Sequence, residues 1–166
     1  QRNHGNSPHH PEHNYNVLSD DLFEFVVKHN LNKPVIIGHS MGGKTALTFG
    51  LKHPDHVGKM IIVDISPLGY SQYDSAEAAD HEVIMKALQS LDPGQIINRT
   101  EADKILEHSI PSPSVRQFLL KNLKRTPEGK FKWAFNIIAL ADNMPTLFEG
   151  IIPEGELYPE HIPQFP

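Results

Sequence analysis

Apolar residues fall at helical spacing at Leu22, Phe23, Val26 and Val27, in a stretch that follows Ser19-Asp20-Asp21 and runs into Asn30. That pattern predicts a helix with one buried face, capped by Ser19, with Asp20 and Asp21 at its positive end and Asn30 as its stop. Lys33-Pro34 leads into Val35-Ile36-Ile37, an apolar run without alternation, as expected of a strand buried on both faces of a parallel sheet. A helix is expected from Met41 to about His53-Pro54, because a proline disfavours helix in the residue before it. Met60 to Val63 repeats the strand signature. Strand, helix and strand in such quick succession form a βαβ unit, and the fold class expected is α/β with a parallel sheet.

The pattern changes after Ile65-Ser66-Pro67. From Ser75 to about Leu147 helical spacing dominates and strand signal is nearly missing. Ser75 is placed to cap a helix through Gln89, Thr100 with Asp103 resembles a capping box for one ending near His108, and Ser114 precedes Phe118, Leu119, Leu120 and Leu123. Thr126 to Lys130, with Pro127 and Gly129, predicts a turn, and the segment from Trp133 to Leu140 is apolar enough to be buried. Three regions are therefore expected: a partial α/β core over 1–67, a helical lid over 68–147, and a proline-rich connector over 148–166. The alternative, an outer helical layer of an ordinary α/β sheet, needs intervening strands that the pattern lacks. Gln1-Arg2-Asn3-His4-Gly5 at one end and Pro159 to Pro166 at the other do not read as domain ends, so a fragment is expected.

Composition narrows the function classes. The 166 residues carry a formal charge of −5 with acids and bases interspersed, so neither a nucleic-acid face nor a polybasic membrane patch is expected. No apolar run approaches the roughly 20 residues that span a bilayer. There is no cysteine, which excludes disulfides and thiolate zinc sites. His4, His9, His10 and His13 match no zinc spacing, are interrupted by Pro8 and Pro11, and are read as a solvated loop, with no metal or cofactor implied.

The candidate chemistry is Gly38-His39-Ser40-Met41-Gly42, a G-x-S-x-G placed where strand becomes helix. So tight a turn forces its central residue into a strained conformation that exposes Ser40 Oγ as a nucleophile. Glycines two before and two after would remove Cβ atoms from the crowded bend. The N–H of Met41, at the positive end of the following helix, is placed as one oxyanion donor. Gly38 to Thr45 also satisfies G-x-x-x-x-G-K-[ST], the phosphate-binding loop, with Asp64 available for magnesium. Bulky His39 and Met41 suit such a loop poorly, and the serine bend leaves Lys44 and Thr45 as ordinary helix residues. A catalytically silent turn, in a binding module, is the third possibility. Asp64 ends the next strand, on the same sheet edge as Ser40, where it could orient a shared histidine or serve only as a cap or ion-pair partner.

Arg2-Asn3-His4-Gly5-Asn6-Ser7-Pro8-His9, then Gly38-His39-Ser40-Met41-Gly42-Gly43-Lys44-Thr45, then Val63-Asp64-Ile65-Ser66-Pro67, resemble the α/β-hydrolase superfamily. The closer likeness is to the group of mitochondrial α/β-hydrolase-domain proteins, small bacterial esterases and yeast ethanol acetyltransferases. The likeness is strong over 1–67 and looser around Val115 to Leu123 and Phe131-Lys132-Trp133. It implies a Ser…Asp…His triad in that chain order, with Ser40 as nucleophile and Asp64 as acid. It further implies a small-molecule acyl ester or thioester substrate, an acyl-serine intermediate, water or an alcohol as acceptor, and a mitochondrial location, with the cytoplasm as the alternative. His39 should point away from Oγ, packing or supporting the oxyanion. The family's catalytic histidine follows its last strand and is not expected within these residues, nor is the second oxyanion donor, so the segment alone is expected to be inactive.

Overall fold

The computed structural model describes residues 1–69 and 75–151, with side chains of 75–78 excepted. His161 and most of the 148–166 connector lie outside the described residues. The chain divides into two compact units, one holding 12–69 and 145–151, the other 2–11 and 75–144.

In the first unit, α1 (Tyr15–Lys28) is followed by β1 (Val35–His39), α2 (Met41–Lys52) and β2 (Lys59–Val63). The βαβ unit is present: β1 and β2 pair in parallel, with Ile37 opposite Ile61 and His39 opposite Val63. Helix α1 starts a turn earlier than Ser19. Asn14 is its cap, accepting the Val17 N–H at 3.1 Å, and Ser19 lies buried within the helix. An asparagine side chain satisfies the orphan donors of a first turn as well as a serine does, so the two caps compete on packing, and Tyr15 and Leu18 are both buried. The unit's core joins Val26 of α1, Phe49 of α2 and Val57, with Ile36 and Met60 of the strands against them. Only that side of the sheet is covered among the described residues. Val35 is 58% and Ile37 69% exposed, with Ile61 and Val63 beside them, so the expected burial of β1 on both faces is not met.

The second unit contains α3 (Ser75–Ser90), α4 (Arg99–Glu107), α5 (Pro113–Leu120), a hairpin of β3 (Leu123–Arg125) and β4 (Phe131–Trp133), and α6 (Ile137–Asp142). The expected turn is there: Thr126 N–H donates to Lys130 O, and Gly129 takes φ +84°. The antiparallel strands on either side of it were not expected, because three residues give no window in which a period can show. The caps also shift. Asn98 accepts the Glu101 N–H while Glu101 accepts the Ile97 N–H, so the reciprocal box stands earlier than Thr100-Asp103. Ser112 precedes α5 and Pro113 opens it, in place of Ser114.

Arg116 ties α5 to α4. Its buried guanidinium donates to both Asp103 oxygens and to the carbonyls of Ile110 and Pro111. Leu88, Leu106, Leu120, Leu123 and Phe131 fill the interior below it. Leu123 is fully buried, and Leu123→Ala is expected to destabilise this unit by about 3 kcal/mol, read as a lower urea midpoint with an unchanged slope.

Most of the His-rich segment, with His4, His9 and His10, belongs to this unit, whereas His13 falls in the first unit and is fully buried rather than solvated. Asn3 N–H donates to Pro8 O, Gly5 N–H to Ala134 O and Asn136 N–H to Asn3 O, while Asn3 Oδ1 accepts the His10 N–H at 2.8 Å. Asn3 is fully buried, so this turn is anchored rather than a solvated loop throughout. A buried amide whose oxygen accepts from the His10 backbone and from Asn136 Nδ2 fixes a turn that glycine and proline alone would leave loose.

Candidate active site

The register that sets His39 opposite Val63 makes Ser40 and Asp64 the next residues on two paired chains. Ser40 N–H donates to Val63 O at 3.0 Å, which holds the two turns side by side at the carboxyl edge of the strands. Both residues take positive φ, 51° for Ser40 and 55° for Asp64. For residues with a Cβ that costs of order 1–3 kcal/mol each, and such strain persists only where the surroundings impose it.

The surroundings of Ser40 are the start of α2. With ψ −124° the serine reverses the chain, and its carbonyl accepts the Gly43 and Lys44 amides at 2.7 and 3.2 Å. Its hydroxyl does not cap the helix, which leaves Oγ for chemistry. Met41 opens α2, where amides have no intrahelical acceptor, and its N–H is adjacent to Ser40. A Cβ on Gly38 would lie 2.3 Å from Gly42 O and one on Gly43 2.5 Å from Ile65 Cγ2, whereas one on Gly42 meets nothing within 4 Å. The bend therefore needs glycine at 38 and 43. The sequence pattern points to 38 and 42, but the helix start lays the carbonyl of Gly42, not its Cβ position, over the strand.

His39 does not pack. Its ring is 69% exposed, with Nε2 3.8 Å from Asp64 Oδ2 on a carboxylate that is 86% exposed. At that exposure an ion pair is worth about 0–1 kcal/mol and forms only when the imidazole is protonated. Among the described residues no hydrogen bond joins His39 to Ser40. His81 lies in α3 and His108 caps the end of α4, both in the second unit. Among the described residues no group of three or more histidine or acidic side chains could hold a metal ion.

Lys44 is the residue that the sequence reading missed. It is wholly buried, not an ordinary helix position, and its ammonium donates to Glu149 O at 2.9 Å. Burial pushes its pKa down. A wholly buried cation committed to the Glu149 carbonyl is not presented to a phosphate, which sets the nucleotide-loop alternative aside.

A family model described as the alpha/beta hydrolase fold matches residues 1–102. The chain belongs to the α/β-hydrolase fold family. Among solved structures, "Marine microorganism esterase" superposes on this α/β-hydrolase chain with a TM-score of 0.86 at 41% identity, over 92% of this chain and 58% of its own. "sn-1-specific diacylglycerol lipase ABHD11" of Mus musculus is 38% identical over 146 residues, 86% of this chain and 46% of that protein. "Probable alcohol acetyltransferase" of Saccharomyces cerevisiae is 40% identical over 131 residues, 75% and 37% of the respective chains. The chain spans about half the length of the curated relatives it matches. Among the described residues no helix is long and apolar enough to cross a membrane.

Proposed function

We propose that this chain supplies the nucleophile, Ser40, and the acid, Asp64, of a serine-dependent ester or thioester hydrolase acting through an acyl-serine. The observation that carries the reading is the pair of strained, consecutive strand ends, joined by the bond from Ser40 N–H to Val63 O. The esterase and lipase relatives support the reaction class.

In this reading Ser40 Oγ adds to the substrate carbonyl carbon while its proton passes to a triad histidine that Asp64 orients. The carbonyl electron pair moves to oxygen and is held in part by Met41 N–H. Collapse expels the alcohol or thiol, which leaves with the proton from the histidine, and water then adds to the acyl-serine by the same steps in reverse order. No histidine among the described residues is assigned the role of base. A second reading has an alcohol take the place of water, giving an ester, and the likeness to the alcohol acetyltransferase favours it. The triad is common to both; water exclusion decides between them.

The test uses the protein expressed from its complete reading frame, an acyl thioester donor and ethanol together. Free acid as the main product supports the hydrolase, and ethyl ester supports the acyltransferase. Absence of both products, with no acyl adduct on the Ser40 peptide by mass spectrometry, overturns the enzyme in favour of a binding module. In the same reading the protein is mitochondrial, and co-fractionation of a tagged copy with the cytosol overturns that location.

A further inference from the structure

The last helix of the described chain, α7 (Met144–Phe148), ends in a segment held by side chains from two other helices. Helix ends leave carbonyls without intrahelical donors. Here the Tyr15 hydroxyl of α1 donates to Leu147 O at 2.9 Å, and the Lys44 ammonium of α2 donates to Glu149 O at 2.9 Å. The two donors are themselves neighbours, with Lys44 Nζ 5.6 Å from the centre of the Tyr15 ring. Beyond them Ile151 N–H donates to Pro67 O at 2.9 Å, which continues the anchoring along the chain.

What this segment supports is the residue after the nucleophile. The side chain of Leu147 packs with Tyr15 and Leu18, and the side chain of Met41 packs against that cluster. Met41 therefore has its backbone N–H beside Ser40 and its side chain against the cluster of Tyr15, Leu18 and Leu147, whose Leu147 belongs to the segment that Tyr15 and Lys44 hold. Apolar filling alone does not call for a lysine here. Burying an ammonium is costly, and a leucine or methionine would occupy the same volume without that cost.

We propose that Lys44 and Tyr15 are positioning residues for catalysis: by fixing the carbonyls of Leu147 and Glu149 they fix the seat of the Met41 side chain, and through it the aim of the Met41 N–H at the oxyanion. The proposal rests on Ser40 being the nucleophile. An oxyanion donor that swings off its line loses contact with charge that exists only in the transition state, so turnover falls while substrate binding does not. A role confined to stability would lower the amount of folded enzyme and leave the rate per intact site alone.

Lys44→Met and Tyr15→Phe, made in the protein expressed from its complete reading frame, separate these roles when kcat is measured per serine titrated with a fluorophosphonate. Each variant is expected to lose about tenfold in kcat per titrated site, with KM within about twofold of the parent. Tyr15→Phe keeps the ring and removes only the bond to Leu147 O, so it decides the matter if Lys44→Met does not fold. An unchanged kcat per titrated site in Tyr15→Phe overturns the proposal, as does a loss carried by KM. Ser40→Ala is run beside them. Continued labelling of that variant would overturn the nucleophile on which the proposal depends, and is a different result from normal turnover in the Tyr15 variant.

Discussion

Ser40→Ala, in the protein expressed from its complete reading frame, is expected to abolish fluorophosphonate labelling and to lower ester turnover by about five to six orders of magnitude. The size follows from the proposed chemistry, in which Ser40 is the acyl acceptor and the catalysis that remains without it comes only from binding and oxyanion stabilisation. Alanine keeps a Cβ at φ 51°, so the bend retains its strain and the fold is not expected to change. An unaltered far-UV circular dichroism spectrum checks that point. Labelling at the wild-type rate would exclude Ser40 as the nucleophile.

Asp64→Asn is expected to lower kcat by about four orders of magnitude, measured on the same ester. The amide is isosteric with the carboxylate but cannot stabilise an imidazolium, and it favours the wrong tautomer of the histidine. Asparagine also tolerates positive φ better than most residues, so the turn after β2 at φ 55° survives the change. A merely structural Asp64 would predict activity within a small factor of wild type. His39→Ala adds a control: the exposed ring beside Asp64 is expected to contribute little, and a loss equal to that of Asp64→Asn would make His39 the acid's working partner.

The sequence was most legible where one physical requirement dominated. Val35 to Thr45 had to read as strand, bend and helix, because G-x-S-x-G between an apolar run and a helix leaves few other conformations, and Ser40 with Asp64 at one edge follows from parallel pairing. Legibility failed where several residues could meet one requirement or where the decisive partner was distant in the chain. Asn14 and Ser19 are both good caps, and tertiary packing of Tyr15 chose between them. The hairpin at Leu123 and Phe131 was too short to carry a period. Lys44 bonds a carbonyl 105 positions away, which no local pattern encodes. The glycine at 43 rather than 42 depended on Ile65, two residues beyond the end of β2.

The backward-turning backbone at position 40 behaves like a set spring. It keeps its shape only while the hydrogen bond to Val63 and the close approach of Gly38 and Gly43 to their neighbours hold it. Small losses of packing anywhere along α2 or the strands would let the bend relax before the unit melts. Ester turnover should thus fade earlier than any spectroscopic sign of unfolding, making the reaction rate the more sensitive gauge of mild damage to this half of the molecule.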